Sequence, residues 1–150
     1  MARPALFNLT LEALPVVVSD HVRWGDMDAY QHLNNTLFFR LFEQARMAYF
    51  ERIHFSSPGD NDQIGPILAH TECHFLKPLT YPQALQIGTR VSHLDRDWLT
   101  MDYGLFFSAD GQARLAACGT GKIVCYDYAN GKRCDLPDSV VASIEALEKS

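Results

Sequence analysis

The chain has no run of Lys and Arg, and its 13 basic residues are outnumbered by 18 acidic ones, giving a formal charge of −5. The sequence-independent attraction to phosphate that nucleic-acid binders use is missing, so no nucleic-acid partner is expected. No uninterrupted apolar stretch approaches the ~20 residues that cross a bilayer. The N-terminus also lacks the basic start, apolar core and small-residue cleavage site of an export signal. These absences predict a soluble, cytoplasmic protein with no membrane partner. The four cysteines, at 73, 118, 125 and 134, show no Cys-x-x-Cys spacing and read as reduced, structural thiols. There is no Gly-x-Ser-x-Gly elbow, no repeat and no low-complexity segment. His70 and His74 alternate with Glu72, but neither a helical His-Glu-x-x-His arrangement nor another zinc spacing is present, so no metal is expected.

What remains is a sequence of 150 residues, 47% apolar and 21% charged, enough for one well-cored domain spanning 1–150. Between Thr36 and Ile53, Phe38, Phe42, Ala45, Tyr49 and Ile53 recur at helical spacing, with Arg40, Glu43, Gln44 and Glu51 on another side. Leu37, Phe39, Leu41 and Phe50 widen the apolar stripe, which predicts a core helix enclosed over most of its girth. The turn formers Ser56-Ser57-Pro58-Gly59-Asp60-Asn61-Asp62 then separate this helix from four strand-like runs. These are Pro66–Lys77, Ala84–Leu94, Trp98–Ser108 and Arg114–Asp127. In the third, Leu99, Met101, Tyr103, Leu105 and Phe107 alternate with mostly polar residues, as a sheet with one buried face requires. Asp110-Gly111 predicts a hairpin, and the short breaks predict antiparallel neighbours. Leu115, Ala116, Ala117, Cys118, Gly119 and Gly121 keep the last strand small, which would let a helix approach its backbone. A short helix from about Asp138 to Glu148 follows the Asn130-Gly131 turn. The class is α+β: an antiparallel five-stranded sheet wrapped around one long central helix, with a short C-terminal helix.

The segment Val22-Arg23-Trp24-Gly25-Asp26-Met27-Asp28-Ala29-Tyr30-Gln31-His32-Leu33-Asn34-Asn35 carries the chemistry. A strand-like run ends at Trp24, and a polar loop then delivers a carboxylate that reads as buried to the start of the long helix. Free backbone N–H groups and the helix dipole there favour negative charge. A developing oxyanion would be stabilised while an ionised Asp28 attacks or activates water, the two halves of an acyl-transfer site. Asp26, two residues away, would repel Asp28 if both faced one site, so it reads as structural. His32 is the alternative base, or else a brace for the tight turn. Asn34 and Asn35 read as a cap and a turn residue.

Arg23-Trp24-x-Asp26-x-Asp28-x-Tyr30-x-His32-Leu33-Asn34-Asn35, followed by Phe39, Glu43, Ala45 and Arg46, resembles the 4-hydroxybenzoyl-CoA thioesterase branch of the hotdog-fold acyl-CoA thioesterases. Phe75-Leu76-Lys77-Pro78-Leu79 fits too, and the resemblance covers residues 16 to 128. It implies hydrolysis of acyl-CoA without a cofactor, with Asp28 as nucleophile or general base and the backbone N–H at or near Asn35 polarising the thioester carbonyl. It also implies a homodimer or homotetramer whose sheets join edge to edge, with coenzyme A in a groove between subunits. Tyr30, Asn34 and Phe39 are the candidates to touch substrate; Lys77 and Arg90 are either solvated surface charges or partners of the coenzyme A phosphates, and Phe38, Phe39, Phe42, Leu68 and Trp98 either line an acyl tunnel or are ordinary core. Glu43, which a second hotdog class would use as its carboxylate, is more simply an ion pair with Arg46. The turn Tyr30-Gln31-His32-Leu33-Asn34-Asn35 departs from that of hydroxybenzoyl-type members and resembles that of fatty-acyl ones. Two rivals stand beside the hydrolase. A hydratase would need Asn and Pro between its Asp and His, and both are missing from Asp28-Ala29-Tyr30-Gln31-His32. A non-catalytic acyl-CoA or acyl-carrier-protein binding module would hold ligand in the same cleft without turnover.

Overall fold

Alternation of side chains organises the sheet, and the computed structural model, which describes residues 5–55 and 63–150, realises it in long strands. In chain order the elements are β1 (Val16–Val22), α1 (Asn35–Arg52), β2 (Ile64–Phe75), β3 (Gln83–Leu94), β4 (Trp98–Ala109), β5 (Gln112–Asp127), β6 (Lys132–Arg133) and α2 (Asp138–Lys149). All pairings are antiparallel, in the order β1-β3-β4-β5-β2, with β6 added to one end of β5. Asp110 and Gly111 both have positive φ (53° and 77°), the backbone a tight two-residue hairpin demands. The two-residue β6 was not anticipated. It forms because Asp127 gathers the N–H groups of Ala129 and Asn130, turning the chain back on β5. The turn-rich stretch 56–62 lies outside the described residues. Among those residues no helix is long and apolar enough to cross a membrane.

The sheet curves around α1, which is touched by β1, β3 and β4 and, through Phe38, by Phe75 of β2 at a ring separation of 4.9 Å. Phe38, Leu41, Phe42, Ala45, Arg46, Tyr49 and Phe50 are its buried face. Enclosure is less complete than the apolar stripe predicts, since Arg40, Glu43, Gln44, Met47 and Glu51 are exposed. Of the small residues of β5, Gly119 is the one that meets α1. The Phe42 ring stacks on Tyr103 (4.9 Å, 14°), in space that a side chain on Gly119 would occupy. On the other face of the sheet, Leu9 and Leu14 of the N-terminal segment pack with Phe106 and Cys118, with Leu14 against Gly88. At the far end, α2 buries Val140, Ile144 and Leu147. Its Glu148 accepts hydrogen bonds from the Tyr49 hydroxyl (2.6 Å) and the Val91 N–H (2.9 Å), where a bulge at Ser92 interrupts the β3–β4 ladder.

One buried carboxylate ties β1 to α1. Asp20, its side chain 8% exposed, accepts the His21 N–H (2.8 Å) and the Gln44 amide (3.0 Å) and lies 3.2 Å from the Arg23 guanidinium. Partial burial pushes its carboxyl up, but the His21 N–H, the Gln44 amide and Arg23 together outweigh that and hold it below its ordinary value of 3.8.

Both contacts are open to measurement by unfolding. Gly119→Ala would drive a methyl into the Glu72 carbonyl and to 2.8 Å from the Phe42 ring, whereas Gly25→Ala would meet nothing within 4 Å. Urea unfolding is expected to show a loss of about 1–3 kcal/mol for the first and little change for the second. For Asp20, a depressed folded pKa means stabilisation that is complete above its ordinary value and lost as pH falls through the lower, folded one. Asp20→Ala should therefore cost about 2 kcal/mol near pH 7, and its unfolding curve should converge on that of the native protein as the buffer is made more acid than the ordinary carboxylate value.

Candidate active site

The loop between β1 and α1 is built from backbone hydrogen bonds that its acidic residues collect. β1 stops at Val22 rather than at Trp24, because the Asp26 carboxylate accepts the Arg23 N–H (3.0 Å) and folds Trp24–Asp26 into a 3-10 turn. Trp24 is consequently 74% exposed. Asp28 then closes a second turn: its N–H donates to the His32 carbonyl (2.8 Å) and its carbonyl accepts the Gln31 N–H (3.0 Å). Its Oδ1 accepts the N–H groups of Tyr30 (2.8 Å) and His32 (3.3 Å). Gln31 is held at φ 62°, a left-handed conformation that costs a non-glycine residue about 1–2 kcal/mol and that these bonds sustain. A Met27–Leu33 bridge closes the loop. The Leu33 N–H donates to the Leu79 carbonyl (2.7 Å) and the Asn34 N–H to the Asp26 carbonyl (2.9 Å), fixing where the helix begins.

The helix start leaves one donor over. Asn34 is the N-cap: its Oδ1 accepts the Thr36 N–H (3.0 Å) and hydroxyl (2.9 Å), while its carbonyl accepts the Leu37 N–H (3.0 Å). The Asn35 N–H, at the first helical position, has no carbonyl a turn earlier to bond. Asn35 and Asp28 share one cleft of about 300 Å³, walled by Leu33, Phe38, Phe75, Leu76, Pro78 and Leu79, with Lys77 at its side. Asp28, Asn35 and Lys77 thus share a cleft with apolar walls. That combination suits a polar reacting group attached to an apolar one.

Several expected residues fall elsewhere. Asp28 is exposed in the single chain, not buried, because the loop projects beyond the sheet. His32 braces the turn through its backbone, and its imidazole makes no hydrogen bond among the described residues. Tyr30 is 84% exposed on the loop and does not line the cleft. The Asn34 side chain is committed to the cap. Phe39 is half-buried, edge-on to Phe42 at 6.5 Å, and outside the cleft wall that its neighbour Phe38 forms. Arg90 is no surface cation: it is buried in an ion pair with Asp102, Nη2 to Oδ2 2.9 Å and Nε to Oδ2 3.0 Å. Trp98 lies beneath the Lys122 ammonium, 4.6 Å from its ring, and pairs with Val124. Phe75 pairs with Ala117, so the two sites are seven residues of β5, roughly 24 Å, apart. Leu68 is exposed and Phe42 is core.

Other expectations match the geometry. Asp26 lines a different cleft, with Asp20, Arg23 and Gln44, so the two loop carboxylates face apart. Glu43 lies 3.8 Å from Arg46, whose buried guanidinium also donates to the Tyr103 hydroxyl (3.1 Å). Burial raises the Tyr103 pKa, with Arg46 opposing it, so the phenol remains a neutral acceptor. Glu72 is 3.6 Å from His70 and 4.0 Å from His74, so the three side chains share one strand face. Sequence reasoning missed Leu76, Pro78 and Leu79 as walls. The signal was the Pro78 break after β2, which swings the chain under the loop so that Leu79 can anchor Leu33.

Comparison with known proteins adds to this geometry. Residues 22–144 match the model of the thioesterase-like superfamily. The uncharacterised protein YsmA of Bacillus subtilis (strain 168) is 29% identical over 103 residues, 69% of this chain and 65% of that protein, so the chain spans a little under two thirds of that relative. A thioesterase from Thermus thermophilus, solved in complex with coenzyme A and Zn, is 32% identical, with a TM-score of 0.75 over 93% of this chain and 98% of that one. A 1,4-dihydroxy-2-naphthoyl-CoA thioesterase from Synechocystis shares the fold at 18% identity, with a TM-score of 0.76 over 89% of this chain and 97% of that one. With a curled antiparallel sheet around one long helix and a family match that runs from the end of β1 into α2, this hotdog-fold chain belongs to the thioesterase-like superfamily.

Proposed function

We propose that this chain hydrolyses acyl-CoA thioesters to a free acid and coenzyme A. The observation that supports this reading most is the meeting, in one apolar-walled cleft, of Asp28 with the helix-start amide of Asn35. In the proposed reaction the Asp28 carboxylate attacks the thioester carbonyl carbon or takes the proton from the water that does so. The carbonyl oxygen gains charge and receives the Asn35 N–H, and the C–S bond breaks so that the sulfur leaves as the coenzyme A thiolate and takes up a proton from water or Asp28; where Asp28 is the nucleophile, water then hydrolyses the mixed anhydride to the free acid and restores the carboxylate. Oδ1 of Asp28 is held by two backbone donors, which leaves Oδ2 as the reacting oxygen. An oxyanion donor of this kind is worth about 3 kcal/mol, so the cap at Asn34 matters to the chemistry as well as to the helix. Lys77 would face the phosphate-bearing part of coenzyme A, and Arg90, neutralised by Asp102, is withdrawn from that role. The Thermus thermophilus relative was solved with coenzyme A, which supports that thiol as the leaving group. Its zinc finds no matching set of ligands among the described residues, and no step needs one.

The working unit we propose is a homodimer or homotetramer in the cytoplasm. β2 lies at one edge of the sheet and pairs on one side alone with β5, among the described residues. Phe75 and Leu76, 49% and 39% exposed, stand at its end beside the cleft. A second subunit joined there would cover the exposed Asp28 loop and supply the rest of the groove.

The test is thiol release from a panel of acyl-CoAs by the native protein and by Asp28→Asn. Turnover by the native protein, lower by about 10²–10⁴-fold in the mutant, is expected. Binding without thiol release would identify a binding module instead, and undiminished release by the mutant would move the carboxylate elsewhere. A single turnover in ¹⁸O-water separates the two roles of Asp28, since label enters its side chain only if it is the nucleophile. Light scattering on a sizing column is expected to give a multiple of the 16.9 kDa chain mass. A monomer at working concentration would overturn the shared groove.

A further inference from the structure

At the end of the sheet away from the cleft, two cysteines face one another. Cys125 lies near the end of β5 and Cys134 directly follows β6, so the register Tyr126↔Arg133 continues into this pair, with the Cys134 N–H donating to the Cys125 carbonyl at 3.1 Å. Their sulfurs are 3.7 Å apart. The Cys125 thiol also lies 3.6 Å from the Asp135 carbonyl oxygen, an acceptor that steadies it beside its neighbour. The other two cysteines have no such relation: Cys73 packs with the cluster around α1, whereas Cys118 packs with Leu9 and Leu14 on the opposite face.

We propose that Cys125 and Cys134 are an oxidisable dithiol, which a peroxide converts to an intramolecular disulfide. Exposure assigns the order. Cys125 is fully buried and Cys134 is half-buried, so the oxidant reaches Cys134 first. The Cys134 thiolate attacks one peroxide oxygen, the O–O bond breaks, and the sulfur becomes a sulfenic acid while the other oxygen takes a proton and leaves as water. The Cys125 sulfur then attacks the Cys134 sulfur, the S–O bond breaks, and the departing hydroxide takes the Cys125 proton to leave as a second water. Two thiols have lost two protons and two electrons, and the peroxide has been reduced to two waters. Burial, with the hydrogen bond to Cys134 adding to it, pushes the Cys125 thiol up to about 12. Its complete burial keeps it from the oxidant and leaves it to resolve the sulfenic acid 3.7 Å away. The bond would staple β6 to β5 and hold the segment that feeds α2, where the Leu136 N–H already donates to the Arg96 carbonyl at 2.9 Å.

The experiment treats reduced, desalted full chain with hydrogen peroxide, then unfolds it and counts free thiols by maleimide labelling and mass. The native protein is expected to fall from four thiols to two, with a mass lower by two hydrogens and a Cys125–Cys134 link in the non-reducing peptide map. Cys73→Ser should still lose two. Cys125→Ser, which removes the resolving sulfur, should leave a sulfenic acid on Cys134 that dimedone traps. Four surviving thiols would overturn the proposal. So would disulfides that join other cysteines or other chains, or a Cys134 that proceeds to sulfinic acid while Cys125 remains open to alkylation.

Discussion

Where the Phe42 ring of α1 meets β5, a missing side chain makes the contact possible. Gly119 has no side chain, so the Phe42 ring lies where a Cβ would be, and Tyr103 closes over its other side. Together with the contacts to β1, β3 and β4, this contact seats the helix, whose first turn emerges beside the Pro78–Leu79 segment. A larger residue at 119 would lift the helix off the sheet and carry its N-terminus away from the loop. The cleft is thus an outcome of core packing on the inner face, which close-packed interiors transmit with little give.

Within the loop, two aspartates two residues apart do different work because each has been claimed by different backbone donors. Asp26 takes the Arg23 N–H and, through its carbonyl, the Asn34 N–H, so it positions the cap. Asp28 takes the Tyr30 and His32 N–H groups on one oxygen, and its residue lines the cleft with Asn35. The helix end divides its donors in the same way: Asn34 absorbs those of Thr36 and Leu37 and leaves that of Asn35. Specific hydrogen bonds, more than the general field of the helix dipole, set which groups of the loop and helix start are already committed.

Patterns that depend on one segment at a time were legible in the sequence. The alternation of Leu99, Met101, Tyr103 and Leu105 specified β4, the Asp110-Gly111 pair specified its hairpin, and the apolar spacing from Phe38 to Tyr49 specified α1. The frame Asp28 to Asn35 pointed to a loop and helix start that do share a cleft. What failed were statements about partners distant in sequence. Arg90 looked like a surface cation because nothing local shows that the β3–β4 register sets it opposite Asp102. Phe38 and Phe39 are equivalent by composition, and the rotation of about 100° between neighbouring helical positions sends one to the cleft and the other away. The burial of Asp28 was overestimated because a polar loop between two apolar elements reads as enclosed even when it projects beyond both.

The sheet order has a consequence for how the chain is made. β2 pairs with β5 and with no other described strand, and Phe75 finds its partner Ala117 only 42 residues later. At synthesis rates of about 5–20 residues per second, β2 emerges from the ribosome several seconds before the strand that will cover it. During that interval both of its edges, and the apolar face of α1 that waits for Gly119, are open to wrong neighbours. The chain commits to its fold late, when the glycine-bearing strand arrives, and the burden of keeping it soluble until then falls on β2's charged and imidazole-bearing face, His70, Glu72 and His74.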